Sequence, residues 1–422
     1  MKKRVYRAEK LEKVNVEKLS AKIVGQRIVF GIDVAKEDFY GVLMNERCEV
    51  IKTIKWRSPG QVRDLVAFLK RLPVDRLEVA LEPSGTYGDA LRVLLEKNGM
   101  DVYLVSPKRS KDACEVYDGV PSSHDAKSAA IIAKLHKDGV SRLWPQQPDD
   151  ARKLSAAVDL MVIYDEQRQR NANRLEAKLA RYWPELSEIV DIGIATSLKL
   201  LEEFGGPSQV AMNPEESLKL MKKAGRCALT EEKCRSVIDS AKATIGVPMI
   251  DEECRALSEL AKEINRNRLE GDRAKKKVEG LTVGDKKLAT TSAAVGKITA
   301  AVLTICLGYA EEYDSASAFL KSGGLNLKER SSGKHQGQLK ITKRGPGELR
   351  RYLYFAVLRL IQRDVYFSAW YKKKVARDGG RHKGRAIVAL MRKLLKALWH
   401  VGQGASFDTR RLFDTRRLEI KA

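Results

Sequence analysis

The chain has 422 residues, 43% of them hydrophobic, which is enough for two or three domains with packed cores and excludes wholesale disorder. No apolar run reaches the roughly 18 residues of a membrane span, and six cysteines without a C-x-x-C pair disfavour a zinc site and indicate a reducing cytoplasm. With 79 Lys and Arg against 55 Asp and Glu, the net charge is +24, which attracts polyanions such as nucleic acids.

The first third of the chain alternates strands and helices. After a basic arm with little expected core (residues 1–25), three short runs rich in Val, Ile and aromatic residues predict a three-strand meander. A helical pattern after the meander, and two further strands that are each followed by a helical pattern, give the order βββαβαβα over residues 26–147. Strands that alternate with helices predict an α/β domain, with a mixed sheet covered by helices.

The middle of the chain predicts a long helical arm. Residues 148–284 contain two mostly polar helices with narrow apolar stripes, from about 149 to 190 and from about 251 to 278, a pattern typical of an antiparallel coiled coil. Between them, residues 191–246 predict a compact helical insert. Because the stripes are narrow, we expect these helices to pair the chain with another copy of itself.

The last third is helical and strongly basic. Residues 285–405 predict an all-α C-terminal domain with a Gly-rich, strand-prone interruption, and residues 406–422 form a tail. Between Lys321 and His400 there are 21 Lys and Arg but only 4 Asp and Glu, a net charge of +17. Aromatic residues are interleaved with these cations, which suits a surface that neutralises the phosphates of nucleic acids.

Two carboxylates fall within strands of the predicted sheet. Asp33 lies in the first strand of the meander and Glu82 ends the fourth strand, although a buried, unpaired charge is costly. If these strands are neighbours, the carboxylates lie close enough to share a divalent cation. Asp125 opens a helix that could supply a third ligand, but Asp is also an ordinary residue at a helix start. Three such carboxylates are typical of the Mg²⁺ site of an RNase H-like nuclease.

A second polar cluster lies in the Gly-rich interruption. Ser331 and Ser332 precede Gly333, and most such triplets are plain polar turns. Here the serines lie among cations, and a serine hydroxyl in a basic pocket can attack a phosphodiester while the cations stabilise the developing charge. The residues expected to hold nucleic acid are Arg330, Lys334, Lys340, Lys343, Arg344, Arg350 and Arg351.

Several segments resemble the DEDD transposases of the insertion-sequence-110 family, relatives of the Piv invertase. In the N-terminal half these segments are GIDVAK, LEPSGTYGDAL, VSPKRSKDA and SSHDAKSAAIIAKL. In the C-terminal half they are AAVGKITAAVLTICLG, SGGLNLKERSSGK and ITKRGPGELRRYLYFAV. The likeness covers most of residues 28–402, with both halves in the family's order.

The resemblance implies a RuvC-like (RNase H-like) catalytic domain, a coiled-coil arm and a C-terminal transposase domain with a nucleophilic serine. Such proteins insert and excise a DNA element, and some are directed by a structured guide RNA, encoded in the element, that pairs with donor and target DNA. The expected partners are therefore DNA, structured RNA and further copies of the chain, as a dimer or tetramer. We expect no membrane partner and a location on the nucleoid of a prokaryotic cytoplasm.

The resemblance also assigns residues. It places Mg²⁺ at Asp33, Glu82 and Asp125, while the family's fourth acidic position falls on Ser128, for which Asp118 or a water could substitute. The family's serine precedes a glycine, and this selects Ser332 over its neighbour Ser331 as the nucleophile.

Two other functions stay open at this point. One is a metal-dependent nuclease or Holliday-junction resolvase that never uses the serine. The other is a nucleic-acid-binding protein whose carboxylates are merely structural. A covalent protein–DNA adduct would separate the transposase from the nuclease, and metal-dependent cleavage would separate the nuclease from the binding protein.

Overall fold

A computed structural model of the chain describes residues 7–83, 85–121, 124–146, 148–225, 229–329, 337 and 339–418. The chain divides into two compact units, Met1–Gln146 and Gln147–Ala422. In the described ranges, no helix combines the length and the apolar character needed to cross a membrane.

The first unit contains the mixed sheet that the alternation of strands and helices predicts. Its strands, in the spatial order β1-β4-β3-β2-β5-β6-β7, are β1 (Glu9–Lys10), β2 (Arg27–Asp33), β3 (Asp38–Met44), β4 (Val50–Arg57), β5 (Arg76–Leu81), β6 (Asp101–Leu104) and β7 (Arg142–Leu143). The meander from β2 to β4 is antiparallel. The first and fourth predicted strands, β2 and β5, are parallel neighbours.

Helices enclose two cores on opposite faces of this sheet. They are α1 (Val16–Ile23), α2 (Val62–Lys70), α3 (Asp89–Lys97), α4 (Pro107–Asp112) and α5 (Asp125–Lys137). Because side chains alternate across a strand, Phe30 and Ile32 of β2 face a core shared with α1, α2 and α3. Val29 of β2 and Ala80 of β5 face a second core, which is shared with α5.

The N-terminal segment differs from the expected arm with little core over residues 1–25. In its described part, Leu11, Leu19 and Ile23 are buried in the first core, and β1 pairs with β4. The segment therefore belongs to the sheet unit. Polar residues outnumber these few apolar residues, so the composition of the segment does not reveal that its apolar residues are buried.

The second unit consists of helices and, within its described residues, one short hairpin. The helices are α6 (Asp149–Tyr182), α7 (Leu186–Ile189), α8 (Ala195–Phe204), α9 (Pro207–Met212), α10 (Pro214–Gly225), α11 (Glu231–Lys242), α12 (Asp251–Val283), α13 (Lys286–Val295), α14 (Lys297–Leu307), α15 (Ala316–Ser322), α16 (Gly347–Arg363), α17 (Val365–Arg377) and α18 (Lys383–Gly402). The hairpin joins β8 (Leu327–Lys328) to β9 (Lys340–Ile341).

The two long helices, α6 and α12, run antiparallel along each other. The Tyr182 hydroxyl donates to the Glu253 carboxylate at 2.6 Å, and Lys275 pairs with Asp165 at 3.2 Å further along. The first helix ends earlier than the predicted residue 190, because Pro184 cannot continue it.

The apolar stripes of α6 and α12 are covered within the chain. At one end, Leu179 and Leu257 lie in a core shared with the α7–α11 insert. At the other end, Met161 and Val278 lie in a core shared with the C-terminal helices. The expectation that these narrow stripes need a second copy for burial is therefore wrong, since helices of the same chain bury them.

Candidate active site

The carboxyl ends of β2 and β5 place two predicted site residues side by side. Asp33 is the last residue of β2, Glu82 directly follows β5, and the parallel register pairs Ile32 with Leu81 just before them. Since alternate residues of a strand face the same side, Glu82 shares the α5 face of the sheet with Ala80, and Asp33 lies on that face as well. The two carboxylates are therefore neighbours on one face.

Helix α5 brings the third predicted residue to this edge. A side chain at Gly31 would overlap the carbonyl oxygen of Ala129 and lie 2.6 Å from the backbone nitrogen of Ala133, so α5 packs directly on the backbone of β2. Asp125 is the first residue of α5, one turn before Ala129. This packing positions Asp125 near the end of β2, where Asp33 lies.

The carboxylate of Asp33 is electrostatically coupled to those of Asp125 and Glu82. The pKa of Asp33 is raised from 3.8 to about 7, first by burial, then by the negative charge of Asp125 and then by that of Glu82. Carboxylates that repel one another in this way favour a shared divalent cation. Within the described ranges, however, no three His, Cys, Asp or Glu side chains stand in a ready metal-binding arrangement.

The residue considered as a substitute fourth ligand is engaged elsewhere. The carboxylate of Asp118 accepts a hydrogen bond from the buried Lys127 ammonium at 2.9 Å, and Lys127 also donates to the carbonyl of Val120 at 2.6 Å. The bond from Lys127 lowers the pKa of Asp118. Asp118 thus links its loop to α5. Ser128, at the family's fourth acidic position, is half-buried on α5, one turn after Asp125.

Tyr40 is a neighbour of the site that we did not anticipate from the sequence. It pairs with Asp33 across the β2–β3 ladder and packs toward the α5 core, on the face that carries the carboxylates. Burial raises the pKa of Tyr40, and the negative charge of Asp125 raises it further. Strand alternation could have identified Tyr40, but only with the β2–β3 register known.

Gly31→Ala tests the packing that positions Asp125. The added methyl group would overlap the α5 backbone, so we expect the free energy of unfolding to fall by roughly 1–3 kcal/mol, the usual cost of overpacking. Gly60→Ala, in the same unit with open space around it, should change stability little. Equal midpoints for the two variants in thermal unfolding would contradict direct contact between α5 and β2.

The predicted nucleophile falls outside the described residues. Ser332 lies there together with Ser331, Arg330 and Lys334, so their roles stay predictions. What the structure does describe is a two-stranded stem formed by residues on either side of this segment in the sequence. Strands β8 and β9, which flank the serine segment in the sequence, pair in an antiparallel register.

Close backbone packing holds this stem. Gly324 has a φ of +67°, and a side chain on Gly345 would overlap the carbonyl oxygen of Ser322. Arg392 of α18 donates its Nε–H to the carbonyl of Leu325 at 2.8 Å. Helix α18 therefore anchors this stem.

The cations predicted to hold nucleic acid fall into two groups within the described ranges. Those that are exposed and form no ion pair there are Lys340, Lys343 and Arg344. Arg350 instead donates to the carbonyl of Gly345 at 2.7 Å, and Arg351 pairs with Glu348 at 3.3 Å. The first group thus has no ion pair within the described residues, whereas Arg350 and Arg351 also hold the fold together.

The tail carries a duplication that we did not anticipate from the sequence. The segment FDTRRL occurs at residues 407–412 and again at residues 413–418. In each copy the Phe and the Leu pack against the core of the C-terminal helices, while both arginines are exposed. The tail is therefore a strap across these helices with two pairs of arginines on its outer side.

Known proteins match both halves of the chain. A transposase family model for DEDD transposases of IS110 matches residues 30–184, and a second, for transposases of the IS116/IS110/IS902 family, matches residues 286–372. A protein of insertion element IS110 from Streptomyces coelicolor, called an uncharacterized 43.6 kDa protein, is 20% identical over 307 residues, or 71% of this chain and 75% of that protein. The first matched segment includes the carboxylates, and the second includes the serines. The chain therefore belongs to the IS110 family of insertion-sequence DNA transposases.

Proposed function

We propose that this transposase cuts and rejoins DNA strands with two sets of groups. The first is a Mg²⁺ ion held by Asp33, Glu82 and Asp125, and the second is the hydroxyl of Ser332. The observation that supports the first part is the position of Asp33 at the end of β2, where its carboxylate is repelled by those of Asp125 and Glu82. The sheet order, an antiparallel meander beside parallel strands, supports an RNase H-like, RuvC-like assignment for this unit.

The donor set suits a hard divalent cation. Mg²⁺ prefers oxygen ligands and, when bound, would polarise the DNA phosphate and stabilise charge that develops on it. Without a cation, Asp33 keeps its proton up to about pH 7, so cation binding is coupled to loss of that proton. Ser128, on the turn of α5 after Asp125, could contribute its hydroxyl or hold a water beside the carboxylates.

The serine accounts for rejoining without an external energy source. The Ser332 oxygen attacks a DNA phosphorus, a phosphoserine ester forms, and the bond to the departing strand breaks, so that this strand leaves as a free hydroxyl. The serine proton passes to solvent or to the departing oxygen. A hydroxyl from another strand then attacks the ester, which restores the DNA bond and the serine. Exposed Lys340, Lys343 and Arg344 on and beside the stem would hold the phosphate during both steps.

A nuclease or Holliday-junction resolvase without serine chemistry is the second candidate. The same group of carboxylates favours it, because metal-bound carboxylates suffice for hydrolysis of a phosphodiester. Under that alternative the serine segment would only bind nucleic acid. The two candidates differ in whether a covalent bond joins protein and DNA during the reaction.

We propose further that a structured RNA directs the choice of DNA sequence, on the nucleoid where the DNA substrate lies. The net charge of +17 between Lys321 and His400 supports the binding of RNA as well as DNA, with affinity that falls steeply with salt. Recombination of matched DNA sites should be lost after RNase treatment and restored when the co-purified RNA is added back. Full recombination by RNase-treated protein, without added RNA, would rule out a guide.

We also propose that copies of the chain associate through α6 and α12, forming the arm of a dimer or tetramer. The supporting observation is a set of exposed apolar residues on these helices, Leu160, Ile163 and Leu269. Changing all three to Gln should lower the mass measured by light scattering, because the association loses its apolar contacts. The triple Gln variant of Leu175, Leu179 and Leu257, which are buried in the same helices, should instead unfold the arm. An unchanged mass for the first variant would contradict this interface.

A further inference from the structure

A cavity of about 400 Å³ lies between α18 and the tail strap. This volume falls in the range of small-molecule sites, about 300–1,000 Å³. Apolar side chains form much of its wall, among them Val401, Phe407 and Leu412. His400 and several cations also line it, so the cavity combines an apolar interior with a basic rim.

The charges at this cavity are not balanced. Its one acidic residue in the described lining, Asp408, is held by Arg410, whose backbone N–H and Nε–H donate to it at 3.0 and 3.2 Å. Lys396 and Arg411 line the cavity and form no ion pair within the described part of the chain. Burial lowers the pKa of Lys393, and the positive charge of Lys396 lowers it further. Positive charges crowded in this way favour an anionic ligand.

The cavity is formed by contacts that hold the strap in place. Lys393 donates to the carbonyl of Leu412 at 3.2 Å. Its ammonium also lies 5.8 Å from the ring centre of Trp370 and 5.5 Å from that of Phe413. Lys393 therefore fixes the strap on α18, which leaves Lys396 and Arg411 as the cations available to a ligand.

We infer that this cavity binds one unstacked nucleotide of a single-stranded nucleic acid, with its base against Phe407 and its phosphate held by Lys396 and Arg411. A plain phosphate would leave the apolar wall uncovered, and a paired duplex keeps its bases stacked away from the wall. Aromatic side chains beside cations are the usual means of binding single strands. The inference rests on the proposed function only in taking nucleic acid as the substrate.

The duplicated tail offers a matched control. Arg417 occupies in the second FDTRRL copy the position that Arg411 occupies in the first. Arg417 pairs with Asp414 at 3.1 Å and does not line the cavity. A general basic surface would use both arginines alike, whereas a nucleotide site needs Arg411.

The test measures how tightly the purified full-length protein binds fluorescent single-stranded DNA and RNA oligonucleotides, without Mg²⁺. Lys396→Gln combined with Arg411→Gln should weaken binding about tenfold and flatten the dependence of affinity on salt. Phe407→Leu keeps an apolar side chain in the wall but removes the ring, and should weaken binding several-fold. Arg417→Gln should change affinity less than about twofold.

An oligonucleotide with abasic positions adds a second readout. Wild type should prefer the intact oligonucleotide, and Phe407→Leu should lose much of this preference while still folded at the assay temperature. The inference would be overturned by equal losses for Arg411→Gln and Arg417→Gln, or by no preference for intact over abasic strands in wild type. Because binding is measured without Mg²⁺ or strand cleavage, its failure can be told apart from failure of the proposed chemistry.

Discussion

Asp33→Asn should lower DNA recombination by well over tenfold. Asn is nearly isosteric with Asp but carries no charge, so the proposed site loses the ligand that is coupled to both of the other carboxylates. A tenfold loss corresponds to only 1.4 kcal/mol, and a catalytic metal ligand should contribute more than that. Recombination of a reporter plasmid measures the effect. Asp64→Asn, which changes an exposed residue of α2, is the control and should retain full activity. If Asp33→Asn keeps more than about a tenth of wild-type activity, the catalytic site lies elsewhere.

The same variant has a second, independent readout in stability. The pKa of Asp33 is about 7 in the folded state against 3.8 unfolded, so its contribution to stability is fully present below about pH 4 and is lost as pH rises through about 7. Asn has no proton to lose, so metal-free Asp33→Asn should gain thermal stability relative to wild type between about pH 5 and about pH 8. Added Mg²⁺ at the higher pH should raise the wild-type midpoint more than that of the variant.

Ser332→Ala should abolish recombination while leaving nucleic-acid affinity nearly unchanged. The substitution removes one hydroxyl oxygen, which the proposed reaction needs as the attacking atom, and it leaves the neighbouring cations in place. Ser331→Ala is the matched control and should be much milder, because Ser331 does not precede the glycine. Gel-shift and recombination assays on both variants measure the two effects separately. Full activity in the double alanine variant would favour the nuclease.

Much of the fold of the first unit could be predicted, because its signals are local. Apolar runs separated by turns mark each strand, and their alternation with helices predicts a mixed sheet. The segment at residues 7–25 could not be placed, since its few buried apolar residues depend on a partner surface that forms only in the sheet. The burial of the α6 and α12 stripes depends in the same way on helices distant in sequence.

The candidate site, like the fold, could be predicted only where its signals are local in the sequence. Asp33 and Glu82 could be singled out because a buried carboxylate inside or at the end of an apolar strand is costly unless it is paired. The position of Tyr40 beside Asp33 depends on the register between β2 and β3. The ion pair between Asp118 and Lys127 depends on how a loop packs against α5. Neither can be derived from local sequence. The role of Ser332 stays a prediction.

The central claim is that the carboxylates and the serine act in the same strand transfer. It is tested most directly by trapping the protein on a nicked suicide DNA substrate and locating any covalent adduct by peptide mass spectrometry. We expect an adduct on Ser332 in wild type with Mg²⁺, and none in Asp33→Asn under the same conditions. Metal-dependent cleavage of that substrate by wild type with no protein–DNA adduct, or an adduct on a residue outside the serine segment, would contradict the account.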